Sequence, residues 1–196
     1  MLQFRILSLI ISLFFVGCGG ATTSTTVTDT KTITKSSSID FLKPEQQEIL
    51  DAINEARSVA RDCNDGLGIV GPAKPLTWND ELYASAYEHS YDIAESNTFD
   101  HKGSGTHWDV TGANNGNASI FYERIEANGY INYRAVGENI AGGQDSIESV
   151  MNAWIESPDH CTNIMSDMFS EVGVAIVVNP DSDYGIYWTQ NFGSKK

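Results

Sequence analysis

The stretch EVGVAIVVNPDSDYGIYWTQNF, Glu171–Phe192, decides the fold class. Val172, Val174, Ile176 and Val178 recur at every second position, the period at which the side chains of an extended strand share a face. Asn179–Asp183 is turn chemistry, its Asn and Asp side chains read as turn formers before calcium ligands, and Tyr184–Phe192 continues as a second strand. The chain is therefore expected to end in a β-hairpin.

Upstream of the hairpin the period changes. Ile147, Val150, Met151 and Trp154 form a helical stripe, with Asp145 and Glu148 fitting a capping box in front of it and Pro158 closing it. Ile120–Asn128 reads as a short helix ending at Gly129, and residues 102–119, rich in Gly, Asn and Thr, read as a loop. Asn79 is a good N-cap for a helix running to about Ser96, with Leu82, Ala86, His89 and Ile93 on one face and Trp78 and Tyr83 spaced as a hydrophobic staple. Pro44–Arg61 reads as a first helix, with Leu50, Ile53 and Val59 among its apolar positions. Helices first and a hairpin last give an α+β class, helices packed on a small antiparallel sheet.

The first forty residues differ. Met1–Gly17 carries one Arg, an apolar run of 11 residues from Ile6 to Val16, and a small residue before Cys18. This is the pattern of a signal peptide, and the run is shorter than the roughly 20 residues that span a bilayer as a helix. Phe15-Val16-Gly17-Cys18 resembles a bacterial lipobox, in which the Cys is lipid-modified and becomes the N-terminus; ordinary secretion is the alternative. Residues 18–39, mostly Thr and Ser, read as a flexible tether, leaving 40–196 as the folded domain. Such a chain is exported, either to the cell envelope as a membrane-anchored lipoprotein or as a secreted protein.

Composition limits the partners. The 196 residues hold 12 Lys+Arg against 26 Asp+Glu, a net charge of −14, and losing residues 1–17 removes Arg5 and no acidic residue. An acidic excess of that size argues against nucleic acid, whose affinity is built on Lys and Arg at phosphates. With Cys18 assigned to lipid, Cys63 and Cys161 remain as an even pair. In an exported protein such a pair is expected as a disulfide; the rival is a catalytic thiol at Cys161 beside His160.

All four histidines lie between positions 89 and 160, among short pieces in a definite order. These are Leu76-Thr77-Trp78, His89-Ser90-Tyr91-Asp92-Ile93-Ala94, Phe99-Asp100-His101, Gly137-Glu138-Asn139-Ile140-Ala141, the stretch Trp154 to Ile164 (WIESPDHCTNI), Glu171-Val172-Gly173-Val174-Ala175, and Tyr187 to Phe192. Over roughly Ile49 to Gly193 the series resembles the CAP superfamily of cysteine-rich secretory proteins, antigen 5 and pathogenesis-related proteins, most closely its bacterial SCP-like branch. The resemblance implies an α-β-α sandwich with a central cleft holding two His and two acidic residues, a tetrad that binds a divalent metal in several members. Carried over by motif, the residues are His101, Glu138 and His160, with Glu171 as the fourth ligand and Glu156 as its alternative.

Two imidazoles with one or two carboxylates suit Zn²⁺ with an open position for water or substrate. The same groups could instead form a hydrogen-bonded polar cluster that holds the cleft together. His89, on an apolar helix face, reads as a core histidine. His107 is expected in solvent with Asp109 nearby as a weak alternative ligand; Trp78, Trp154 and Trp188 are expected as core anchors and Trp108 as a candidate binding-surface residue. No Gly-x-Ser-x-Gly elbow, His-Glu-x-x-His, phosphate loop or dinucleotide fingerprint is present. Three functions remain open: a cell-envelope binding module for a small apolar molecule, peptide, protein or metal; a metal-dependent or acid–base hydrolase; and an adhesin-like protein with a structural cleft.

Overall fold

The computed structural model describes residues Lys43–Lys196. The expected signal segment 1–17, the candidate lipidation site Cys18 and the tether 18–39 lie outside the described residues. The two strands of the terminal hairpin, β5 (Glu171–Val178) and β6 (Ile186–Lys195), pair antiparallel with Val172 opposite Phe192 and Val178 opposite Ile186. The alternation along β5 is real only in part. Val172 and Val174 are buried, as are Gly173 and Ala175 on the other face, whereas Ile176 and Val178 are exposed. Burial on both faces of the first half means that something covers both sides of the sheet.

Two further strands complete that sheet. β3 (Thr77–Trp78) pairs parallel to the start of β5, and β4 (Tyr133–Gly142) runs antiparallel to β6, giving the order β3-β5-β6-β4. One face is covered by α2 (Asp80–Ser96), which starts as the sequence predicts: the Asn79 side chain accepts from the amides of Glu81 and Leu82, and the Trp78 and Tyr83 rings lie 5.8 Å apart. Leu82, Ala86, His89 and Ile93 are all fully buried on its inner face. α2 approaches closest at Gly173, where a Cβ would run into the backbone of Leu82 and Tyr83, so only glycine fits.

The opposite face carries the main core. There Val172, Val174, Trp188 and Phe192 meet Ile49, Leu50 and Ile53 of α1 (Pro44–Arg57), Val150, Met151 and Trp154 of α5 (Ile147–Glu156), and Ile164 and Met165 of α6 (Pro158–Met165). Fully buried aliphatic side chains of this kind contribute roughly 1.5–3 kcal/mol each. The fold is thus an α-β-α sandwich of the α+β class. A two-stranded ribbon, β1 (Arg61–Asp62) with β2 (Ile69–Val70), is tied to α6 by the Cys63–Cys161 disulfide, whose Cα atoms are 5.5 Å apart. Cys161 is therefore no thiol nucleophile. No helix among the described residues is long and apolar enough to cross a membrane.

Four elements differ from the sequence reading. α1 stops at Arg57, not Arg61, because Arg61 and Asp62 are paired with Val70 and Ile69 in the two-stranded ribbon; the Arg57 guanidinium turns into the core and donates to the carbonyls of Lys74 and Ser166 at 2.7 and 3.0 Å. α5 is capped by Ser146 with Ser149, one residue beyond the Asp145–Glu148 pair. Pro158 ends α5 and also occupies the first turn of α6. Within the expected 102–119 loop lies α3 (Val110–Asn115), organised by the buried Asp109 carboxylate, which accepts from the amides of Gly112, Ser119 and Gly105. The short helix before Gly129 is α4 (Phe121–Ala127).

Candidate functional site

Glu138 lies mid-way along β4 opposite Asn191 of β6, on the face that α2 covers. Its carboxylate is buried, and such a group persists ionised only when partners replace water. The partners are present. Arg124 of α4, itself buried, donates from Nη2 to both Glu138 oxygens at 3.2 and 2.9 Å. His101 Nδ1 lies 3.0 Å from Oε1. Asn191 completes the shell in the amide orientation that satisfies its neighbours, its nitrogen 3.2 Å from Oε2 and its oxygen accepting from Ser85 and Ala86.

Burial alone would raise the Glu138 carboxyl, but the His101 hydrogen bond and the Arg124 guanidinium outweigh it and hold it below the usual glutamate range. Arg124 further donates to the His101 carbonyl at 2.9 Å and to Ser119 Oγ at 2.9 Å, so one guanidinium positions both the carboxylate and the loop that bears the histidine.

The three imidazoles near this carboxylate are in different states. His101, with its side chain about half exposed (49%), has its pKa raised by the Glu138 hydrogen bond against the opposing effect of partial burial. Its Nδ1 faces Glu138, leaving Nε2 as the other ring nitrogen. His89 is fully buried and pushed down to about 4 by desolvation, so it is neutral at pH 7 and its 3.8 Å approach to Glu138 is not an ion pair. Its Nε2 lies 3.0 Å from the Asp100 carbonyl, an acceptor that fixes the proton on that nitrogen. His160, half-buried in α6, is lowered by burial and then by the charge of His101. Its backbone carbonyl accepts from Asn139 Nδ2, tying α6 to β4 next to Glu138.

Of the residues expected in a tetrad, the fold therefore brings His101 and Glu138 into contact and places His160 within electrostatic reach of His101. It does not bring Glu171 there. Glu171, at the start of β5, accepts from Tyr130 Oη at 2.6 Å and from Asn79 Nδ2 at 2.9 Å, which locks α2 to the sheet two strands away from β4. Glu156 is exposed at the end of α5. Asp109 is spent on capping α3, and His107 is exposed with its ring 4.1 Å from that of Trp108. Trp154 and Trp188 are core residues, and Trp78 packs at its edge.

Sequence reasoning missed Arg124 altogether. The one available signal was a cationic residue within a helix whose neighbouring positions, Ile125 and Phe121, face the core. His89 is the core residue expected and also a wall of this site.

Residues 50–192 match the family model described as the cysteine-rich secretory protein family, CAP. The chain belongs to this family. Among CAP relatives, an uncharacterized protein of Bacillus subtilis, YkwD, is 34% identical over 122 residues, which is 62% of this chain and 40% of that protein. An outer surface protein of Borrelia burgdorferi superposes with a TM-score of 0.57 at 21% identity over 80% of this chain and 97% of its own. An extracellular SCP-domain protein of Bacillus anthracis gives 0.55 at 22% identity over 80% of this chain and 45% of its own. The fold is thus that of CAP domains, while the chain spans well under half of its curated relative.

The arrangement of this CAP site does not fit a divalent cation. Among the described residues no group of three or more His, Cys, Asp and Glu side chains converges as a cation requires. Both Glu138 oxygens already accept from a guanidinium, whose charge opposes that of a metal. What the site can do is present a carboxylate-oriented imidazole, with a second imidazole within electrostatic reach, at the edge of the sheet.

Proposed function

We propose that this CAP domain is an exported, lipid-anchored binding module of the cell envelope, and that His101 and His160 hold the polar groups of a peptide laid across the cleft. The observation that carries the reading is the half-exposed His101 imidazole, oriented by a buried, already neutralised Glu138 and standing near His160. Such a pair offers hydrogen-bond donors and acceptors to peptide carbonyls, amides or a terminal carboxylate. The likeness to an outer surface protein and to an extracellular protein supports an exported location, and the lipobox-like Phe15–Cys18 supports the anchor.

Panning a random peptide library on the domain and measuring the selected peptides by fluorescence polarisation tests the cleft. His101→Ala and His160→Ala should each weaken binding by about ten-fold or more while the domain stays cooperatively folded at the assay temperature. Retained affinity in both variants discards the cleft as the binding site. Radiolabelled palmitate should enter the full chain and be lost in Cys18→Ala.

A second reading has one specific observation behind it. A buried carboxylate that orients an accessible imidazole is also the geometry of a general base. Hydrolysis of peptides or esters abolished by His101→Ala would establish that reading, with Arg124 and Glu138 as positioning residues.

A further inference from the structure

On the outer side of α2 the side chains of Tyr83, Tyr87 and Tyr91 stand one helical turn apart, and the row is extended at both ends, by Trp78 and by Trp108. Tyr87 and Tyr91 are stacked at 6.1 Å between centroids with planes 17° apart, whereas Trp108 meets Tyr91 edge-on at 5.6 Å and 78°. Parallel rings followed by a perpendicular one make an aromatic corner. Tyr87 stays 47% exposed and Val110 53% exposed beside it, so the row is not core. Tyr83, Tyr87, Tyr91 and Trp108, with Glu88 and Asn128, line a concave site of about 520 Å³, the size of a small-ligand pocket.

The charge of that site is unmatched. The Glu88 carboxylate, half-buried, accepts from the Thr111 amide at 2.8 Å and from Asn128 Nδ2 at 2.6 Å, both neutral donors. Among the described residues no Lys, Arg or His forms an ion pair with it, in contrast to Glu138 and Glu81. An aromatic face carries a negative quadrupole and attracts a cation whose hydration shell is weak. Four rings and a carboxylate without a counter-charge are therefore complementary to one kind of ligand, a cation with an apolar surface. A compact ammonium such as lysine's is held back by its hydration, whereas a trimethylammonium group presents methyl carbons to the rings.

We propose that the Tyr83–Tyr87–Tyr91–Trp108 pocket binds a quaternary ammonium group, with Glu88 supplying the counter-charge. The site is separate from the His101–Glu138 cleft, shares no residue with it, and does not depend on the function assigned there.

The test uses the full chain and choline as the probe, followed by proton NMR of its trimethylammonium resonance. The neutral isostere 3,3-dimethylbutan-1-ol and the glycan N,N′-diacetylchitobiose serve as competitors. Choline should bind at least about ten-fold tighter than the neutral alcohol, and Tyr87→Ala and Glu88→Gln should each weaken it by roughly three- to thirty-fold. Tyr87 is exposed, so that variant keeps the fold even if Glu88→Gln disturbs the Thr111 and Asn128 contacts; His101→Ala should leave choline binding unchanged. Equal binding of the alcohol, preferential binding of the chitobiose, absence of choline binding, or full affinity in Tyr87→Ala overturns the proposal.

Discussion

Arg124 and Glu138 form the charge pair on which the cleft depends, and each side chain is only 1% exposed. Removing one partner leaves the other charge without compensation in a dry site. Arg124→Met should therefore destabilise the domain by about 3–5 kcal/mol in urea unfolding, whereas Arg124→Met combined with Glu138→Gln should cost clearly less than the sum of the two single changes.

The histidines add a pH dependence whose sign follows from their shifts. His89, lowered from 6.5 to about 4, is neutral in the folded state while the unfolded chain takes up a proton, so stability is lost as pH falls through that window, by on the order of 3 kcal/mol. Glu138, also lowered, acts in the same direction at lower pH. His101 acts oppositely, since its raised value makes a contribution that is full at low pH and lost as pH rises through the folded pKa, but half exposure screens it. A melting-temperature profile in wild type and His89→Gln should show the acid-side slope shrinking in the variant. These protonation states could not be read from the chain. The apolar helix face marked His89 as a core residue, but the direction of each shift depends on where Arg124 and Glu138 stand in the fold.

Elements show which signals were local and which were not. α2 was legible end to end because its cap, staple and apolar face are all coded within its own residues. β4 was legible only as a motif. Its consecutive residues from Gly137 to Ala141 are all buried, covered on both faces or facing the site, which erases the two-residue period. α1 ended early because Arg61 and Asp62 are taken up by strand pairing with Ile69–Val70. The fourth acidic residue was misplaced because Glu171 and Glu138 share a residue type but stand on strands separated by β6.

Two outcomes belong at this scale. Gly173→Ala should sharply lower the melting temperature, because its Cβ meets α2 backbone that cannot swing aside. Replacing Cys63 and Cys161 by Ala should cost up to about 4–5 kcal/mol in chemical denaturation, the chain-entropy ceiling for a loop of that length, and should loosen α6 and with it His160.

At the scale of the whole molecule, the three layers explain the site. α2 on one face and α1, α5 and α6 on the other leave β4 at the sheet edge, and α4 delivers Arg124 to it. The −14 net charge invites a cation, yet the acidic residue at the centre of the cleft is already neutralised from within the chain. That internal neutralisation, with His101 left as the accessible group, is the central claim. NMR titration of the four histidine ring resonances tests it most directly. The expected result is a three-way split, with His101 above the ordinary histidine value, His160 below it, and His89 lowest at about 4. His101 and His160 titrating together at the ordinary value, or a His89 charged at neutral pH, contradicts it.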